Sequence, residues 1–211
     1  KMKYYVGIDL GGTNISAGVV NENYEIIAKA STKTNCPRPA DEIADSMYEA
    51  GMMAVKAAGL ELKDIYEVGV GTPGSVDPET GIVCYSNNLG FVNTPLGPML
   101  EERFGRKVFL ENDANAAAYG ELMAGAGKGC KQFIAITLGT GVGGGVIIND
   151  NILSGFNNAG GELGHIVIVK DGEPCSCGRK GCWEAYASAT ALINQTKQAM
   201  RRYPDSLMWK L

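Results

Sequence analysis

The feature that most restricts the fold is an internal repeat. "IDLGGTNISAGVVNEN", residues 8–23, aligns with "ITLGTGVGGGVIINDN", residues 136–151, at a constant offset of 128. Ile8, Leu10, Gly11, Asn21 and Asn23 recur as Ile136, Leu138, Gly139, Asn149 and Asn151, while Val20 and Glu22 are conservatively replaced by Ile148 and Asp150. Each copy reads as a β-rich run, a Gly/Thr turn, a second β-rich run and an Asn-rich turn. Gly-rich hairpins resemble one another by chance, but an unbroken register favours duplication, and duplication predicts two related lobes.

The rest of the pattern belongs to an α/β chain. "YYVGIDLGGTNISAGVVNENYEIIAKAS" predicts three strands joined by hairpins. Between Asp41 and Ala58, Ile43, Met47, Ala50 and Ala54 recur at helical spacing, with acidic residues in the first turn where the dipole favours them. "IYEVGVGTPG" predicts a buried strand ending in a turn, and "KVFLENDANAAAYGELMAG" a strand, a sharp loop and an Ala-rich helix. A second strand-rich block starts at Phe133.

Composition narrows the partners. A formal charge of -4 and a pI near 5.1 leave no basic surplus for a phosphodiester backbone, so nucleic acid is not expected as the main ligand. The opening "KMKYYVGIDLGG" has no apolar core of a secretory signal, and no apolar run is long enough to span a bilayer. The expected compartment is the cytoplasm, where thiols stay reduced and clustered cysteines point to metal rather than disulfides.

The 29 glycines are about twice the usual share, and five of them fall within residues 139–145. Turns whose amides point into one concavity bind anions, and glycine lets the backbone approach closely. "DLGGTN" and "LGTGVGGG" supply such turns, with Thr13 and Thr140 as hydroxyl donors. Neither is a Walker A or a dinucleotide fingerprint, since no Gly-Lys-Ser/Thr follows and the glycines lie between two strands. Taken singly, each is most simply a tight hairpin. As a pair at the starts of two lobes they could face across a cleft and hold a polyphosphate. Asp9 would sit beside them to hold Mg²⁺, directly or through water, or else cap its turn.

In "LENDANAAAYGE", Asp113 stands where strand gives way to helix and reads as an N-cap. The helix dipole would keep its carboxylate ionised, and phosphoryl transfer asks a base mainly to position a hydroxyl. Asn112 can both donate and accept, as a polyhydroxylated ligand requires.

The single histidine and half of the six cysteines fall in "HIVIVKDGEPCSCGRKGCWE", residues 165–184. His165, Cys175, Cys177 and Cys182 form a Cys₃His set for tetrahedral zinc, with Gly178 and Gly181 supplying turns. The spacing departs from the usual CxxC, and the alternative is three surface thiols beside an unrelated histidine. Four protein ligands leave no open position, so the metal would be structural, stiffening a loop that carries Glu162 and Glu184. Cys36, Cys84 and Cys130 read as small core residues.

Together "DLGGTN", "GTPG", "LENDANAAAYGE", "LGTGVGGG", "GGELGH" and "CSCGRKGCWE" occur in the order seen in the ROK family of bacterial sugar kinases and repressors, which the chain resembles from Tyr4 to about Ala191. The resemblance implies an α/β, actin-like ATPase fold with two ribonuclease-H-like lobes around a cleft. These would be a small N-terminal lobe, residues 1–115, and the opening part of a larger C-terminal lobe, residues 116–211, that includes the zinc loop. It further implies ATP-dependent phosphorylation of a hexose, most often glucose, by a homodimer. Asp113 would be the base for the 6-hydroxyl. Gly74, Asn112, Glu162, His165 and Glu184 would bind the sugar, and Asp9, Gly11, Gly12, Thr13, Thr140 and Gly141 would lie against the phosphates and Mg²⁺.

Family kinases are longer, so the second lobe is expected to be incomplete here, and Asn151 stands where a turn glycine is usual. Two alternatives remain beside a glucokinase. One is a family kinase for another hexose or N-acetylhexosamine, such as fructose, mannose or N-acetylmannosamine. The other is a sugar-sensing regulator without chemistry, although only Lys1 to Lys3 precede the first phosphate strand, where repressors of the family carry a DNA-binding domain. A zinc-stabilised binding module is the reading from a third class.

Overall fold

The computed structural model describes residues 2–210. Its first sheet has five strands, Ile26–Lys33 (β3), Asn14–Asn21 (β2), Tyr4–Leu10 (β1), Ile65–Thr72 (β4) and Val108–Asn112 (β8), in that order. β1, β2 and β3 form the antiparallel meander that the hairpin pattern predicts. β4 and β8 extend the sheet by parallel pairing with β1 and with each other. Parallel neighbours need crossovers. α1 (Ala40–Ala57) supplies the first, and the second contains α2 (Leu96–Phe104). The stripe of Ile43, Met47, Ala50 and Ala54 is fully buried, and α1 lies against β1, β2 and β3. Phe104 meets Tyr48 edge-on at 4.9 Å and closes the seam between α1 and α2.

Between β4 and α2 lies a small sheet that the sequence pattern does not reveal. It consists of β5 (Ser75–Asp77), β6 (Ile82–Ser86) and β7 (Phe91–Thr94). β5 holds three residues, and IVCYS and FVNT in β6 and β7 show no apolar–polar alternation, so no period marks them.

The second lobe repeats the meander as β9 (Gln132–Leu138), β10 (Val142–Ile148) and β11 (Asn151–Ile152), in the order β11-β10-β9. β2 and β10 begin at positions 128 apart, but the pairing differs by one residue. Leu10 faces Ile15, whereas Leu138 faces Val142, the counterpart of Asn14. The second turn is one residue shorter, so every β9 residue finds its partner one position earlier than the repeat predicts. The Asn-rich turn also differs from expectation. Asn149 and Asp150 take the left-handed conformation (φ 50° and 65°), and Asn151 already belongs to β11.

α3 (Asp113–Ala124) leaves β8 directly, without the loop expected there, and packs against β4 as well as β9 and β10. Ala118, Leu122 and Ile147 form a second, smaller core. Gly145 permits this approach, because a Cβ there would overlap that of Ala118 and stand 2.8 Å from the Ala114 carbonyl oxygen. On the opposite face of β9, Ile134, Ile136 and Leu138 are exposed. Cys36 packs on the first core and Cys84 is half-buried, but Cys130 is exposed, contrary to its reading as a core residue.

After β11 the chain is mostly irregular, with isolated bridges between Val167 and Cys182 and between Pro174 and Lys180. It then forms α4 (Glu184–Ala187) and α5 (Ala189–Arg202), the latter capped by the Ser188 hydroxyl, which accepts from the Ala191 N–H, and a 3-10 turn at Leu207–Lys210. Among the described residues no helix is long and apolar enough to cross a membrane.

Candidate active-site cleft

A cleft of about 1340 Å³ opens between the two meanders. Gly11 and Gly12 lie on one wall, Thr140 and Gly141 on another, and Asn112 and Asp113 at the start of α3 between them. Gly74, Glu162, His165, Glu184, Cys175 and Cys177 complete the set of anticipated residues that line it. Asp9, Thr13 and Cys182 do not line it. The small sheet adds Tyr85, Ser86, Asn87 and Asn88, which sequence reasoning missed. The Asn-Asn pair after a β-rich run was the available signal.

The junction of β8 and α3 is capped by Asn112, not by Asp113. The Asn112 Oδ1 accepts from the N–H groups of Ala114 (2.9 Å) and Asn115 (3.1 Å), while its Nδ2 donates to the Gly74 carbonyl at 3.0 Å. Asn112 is the last extended residue (φ −60°, ψ 142°), and that backbone makes an N-cap. Asp113 is therefore the first helical residue, and its Oδ1 accepts from the Ala114 N–H at 2.8 Å.

Burial pushes the Asp113 carboxyl above its ordinary range, and the N–H groups of Ala114 and Asp113 pull it only part of the way back. The dipole argument taken alone has the opposite sign, and burial outweighs it. Asp9 is raised by desolvation and then by the Asp113 charge. Glu162 is raised by desolvation, against His165, and then by Asp113 and Glu184. Buried carboxylates raised by a neighbouring carboxylate, as Asp9 and Glu162 are by Asp113, favour a cation or hydroxyl donors beside them. Glu184 is tied down at both oxygens. Oε2 accepts from the Val142 N–H and Oε1 from the Ser176 hydroxyl, each at 3.0 Å.

Both Gly/Thr turns keep donors in reserve. Among the described residues, the N–H groups of Gly12 and Thr13 in one turn, and of Thr140 and Gly141 in the other, have no hydrogen-bond partner.

The donor atoms of His165, Cys175, Cys177 and Cys182 all lie within 4.8 Å of one another. Tetrahedral zinc, with Zn–S near 2.3 Å and Zn–N near 2.05 Å, implies edges of about 3.8 Å between sulfurs and about 3.6 Å between nitrogen and sulfur. Cys177 and Cys182 stand 3.7 Å apart, and His165 Nδ1 lies 3.6 Å from the Cys175 Sγ. The set fits such an ion, with Nε2 of His165 left over. Desolvation would raise Cys177, but the Arg179 backbone N–H and guanidinium, followed by the neighbouring thiols, bring it down to about 6. Burial and then the other two thiols push Cys182 up to about 11. Gly178 and Gly181 turn the loop with φ of 84° and 78°.

Two lobes of repeated topology, each opening with a Gly/Thr hairpin on a shared cleft, define an actin-like ATPase fold. The chain belongs to the ROK family, whose sequence model matches residues 5–210. It is 42% identical over 210 residues to the glucokinase of Thermotoga maritima, covering 98% of this chain and 64% of that protein. It is 34% identical over 214 residues to the xylose repressor of Bacillus subtilis, covering 97% and 53%. The structure of a ROK family glucokinase from Streptomyces griseus in complex with glucose and AMPPNP superposes with a TM-score of 0.85 at 40% identity, over 97% of this chain and 64% of that one. The chain thus spans somewhat less than two thirds of the glucokinases it matches.

Proposed function

We propose that the protein is a sugar kinase that transfers the γ-phosphoryl group of ATP to a hexose, with glucose as acceptor and glucose 6-phosphate as product. The observation that carries this reading is that Asp113 opens α3 within the same cleft as both Gly/Thr turns. Its relatives named glucokinase and the neighbour bound to glucose and AMPPNP support the choice of substrates.

The acceptor hydroxyl is held against the Asp113 carboxylate. As the new O–P bond forms and the bond from phosphorus to the ADP oxygen breaks, that carboxylate takes the hydroxyl proton. The transition state is loose, so the residues contribute chiefly position and charge. Gly74, Asn112, Glu162, His165 and Glu184 bind the sugar, His165 through Nε2. Gly11, Gly12, Thr13, Thr140 and Gly141 lie along the phosphates, and Asp9 would hold Mg²⁺, which neutralises phosphate charge when bound. His165, Cys175, Cys177 and Cys182 would hold zinc in a closed structural site that stiffens the loop between Glu162 and Glu184. Division into lobes at residues 115 and 116 is supported by the two separate cores. Assembly as a homodimer in the cytoplasm, implied by the family resemblance, belongs to the same proposal.

The test is ADP formation by the full-length protein from ATP and a panel of hexoses and N-acetylhexosamines. Turnover highest with glucose is expected, and no ADP with any sugar would end the reading. The relatives named xylose repressor favour a second one, a regulator that binds sugar without turning it over. That reading requires tight binding to an operator DNA that sugar relieves, together with no ADP formation.

A further inference from the structure

We propose that Thr34 and Thr190 are positioning residues that preset the two Gly/Thr turns for an anionic phosphate chain, an inference that rests on the kinase reading. A turn binds phosphate through its N–H groups only when its carbonyl oxygens, which repel an anion, are held elsewhere. The second turn meets that condition at all three of its carbonyls, and the first at Gly11 and Thr13. In the first, the Thr34 hydroxyl donates to the Gly11 carbonyl at 2.6 Å and the Thr34 N–H donates to the Thr13 carbonyl at 3.0 Å. In the second, the Ala189 N–H donates to the Gly139 carbonyl at 2.9 Å and the Thr190 hydroxyl to the Thr140 carbonyl at 2.8 Å. Each turn also closes on itself through its first glycine, from the Gly11 N–H to Asn14 (2.9 Å) and from the Gly139 N–H to Gly141 (3.0 Å).

The donors left over are Gly12 and Thr13 in one lobe and Thr140 and Gly141 in the other, residues 128 apart in the repeat. The anchors are not related by that repeat. Thr34 would correspond to Glu162, and Thr190 to Leu62. Thr34 follows β3, whereas Thr190 lies in the first turn of α5. In both turns the first glycine's carbonyl and one other are therefore held by groups that the repeat does not relate, which points to the exposed amide pair as the property that both serve.

Thr34 is fully buried and lies outside the cleft lining, so it acts through the turn rather than on a ligand. It is braced in its turn by Arg38, whose Nε donates to the Thr34 carbonyl at 2.7 Å and whose guanidinium reaches the Ser46 hydroxyl on α1 at 2.9 Å.

The experiment compares full-length wild type with Thr34→Val, Thr34→Ser, Thr190→Val and Thr190→Ser. AMPPNP with Mg²⁺ is titrated by calorimetry, KM is measured separately for ATP and glucose, and thermal melts are recorded for each protein. Each valine variant is expected to weaken AMPPNP binding and raise the KM for ATP about five- to tenfold, the worth of one lost hydrogen bond. KM for glucose should stay within about twofold, and serine should restore wild-type values. Valine variants that melt normally and bind AMPPNP like wild type would overturn the proposal. So would equal losses for ATP and glucose. If Thr34→Val fails to fold, Thr34→Ala removes the same buried hydroxyl and decides, with Thr190→Val, at an exposed position that itself lines the cleft, read beside it. A wild type that makes no ADP removes the kinase reading alone, because calorimetry with AMPPNP still reports on the turns.

Discussion

Replacing Asp113 with asparagine should make the protein more stable and nearly inactive at once. The amide would keep the side-chain oxygen that accepts the Ala114 N–H while removing the charge and the proton acceptor. For catalysis, a lost general base costs about 10²- to 10⁴-fold in turnover, or about 2.7–5.4 kcal/mol of barrier. For stability, two effects oppose each other. The helix N-terminus favours the carboxylate by about 0.3–1 kcal/mol, whereas burial disfavours it. The carboxyl is raised, so burial wins. A group raised in the folded state binds its proton more tightly there, so the stability it confers is lost as pH rises through the folded pKa. Wild type should therefore fall below Asp113→Asn as pH increases, with the gap widest at neutral pH and closing below the ordinary carboxyl range. Melts from pH 4 to 8, with kcat and glucose binding at neutral pH, measure all three quantities. Wild-type turnover in the variant would refute the assignment of the base. A variant less stable than wild type at neutral pH, but equal to it at pH 4, would refute the dominance of burial.

Gly145→Ala should cost about 1–3 kcal/mol in urea unfolding, since its Cβ meets Ala118 and the Ala114 carbonyl, neither of which can swing aside. An unchanged midpoint would mean that β10 and α3 are not so closely packed. Cys182→Ala should abolish stoichiometric zinc and weaken glucose binding, measured by elemental analysis and calorimetry. Cys130→Ala, at an exposed position outside the cluster, should keep both. Phe104→Ala, which empties the seam between α1 and α2, should lower stability by about 3–5 kcal/mol while kcat of the folded protein is preserved.

Much of the molecule is legible because the relevant information is local. Period-two and helical runs mark β1 to β4 and α1, and the repeat marks β9 and β10 at the right positions. The Cys₃His set is readable because its members lie within 18 residues of one another. Where the reading failed, competing local solutions were nearly equal in energy. Either Asn112 or Asp113 is an adequate N-cap, and only where β8 stops decides between them. The turn of β9 and β10 is one residue shorter than that of β1 and β2, which an ungapped alignment of glycines does not register.

By itself, then, the sequence determined two related Gly/Thr hairpins, a carboxylate where a strand becomes a helix, and a compact soft-ligand set. Only the tertiary structure decided what these parts touch. The hydroxyl of Thr34 meets Gly11 across 23 positions, Glu184 meets Val142 across 42, and Thr190 meets Thr140 across 50. Such contacts leave no periodic trace in the chain, because their partners are brought together by the packing of whole sheets and helices rather than by the conformation of neighbouring residues.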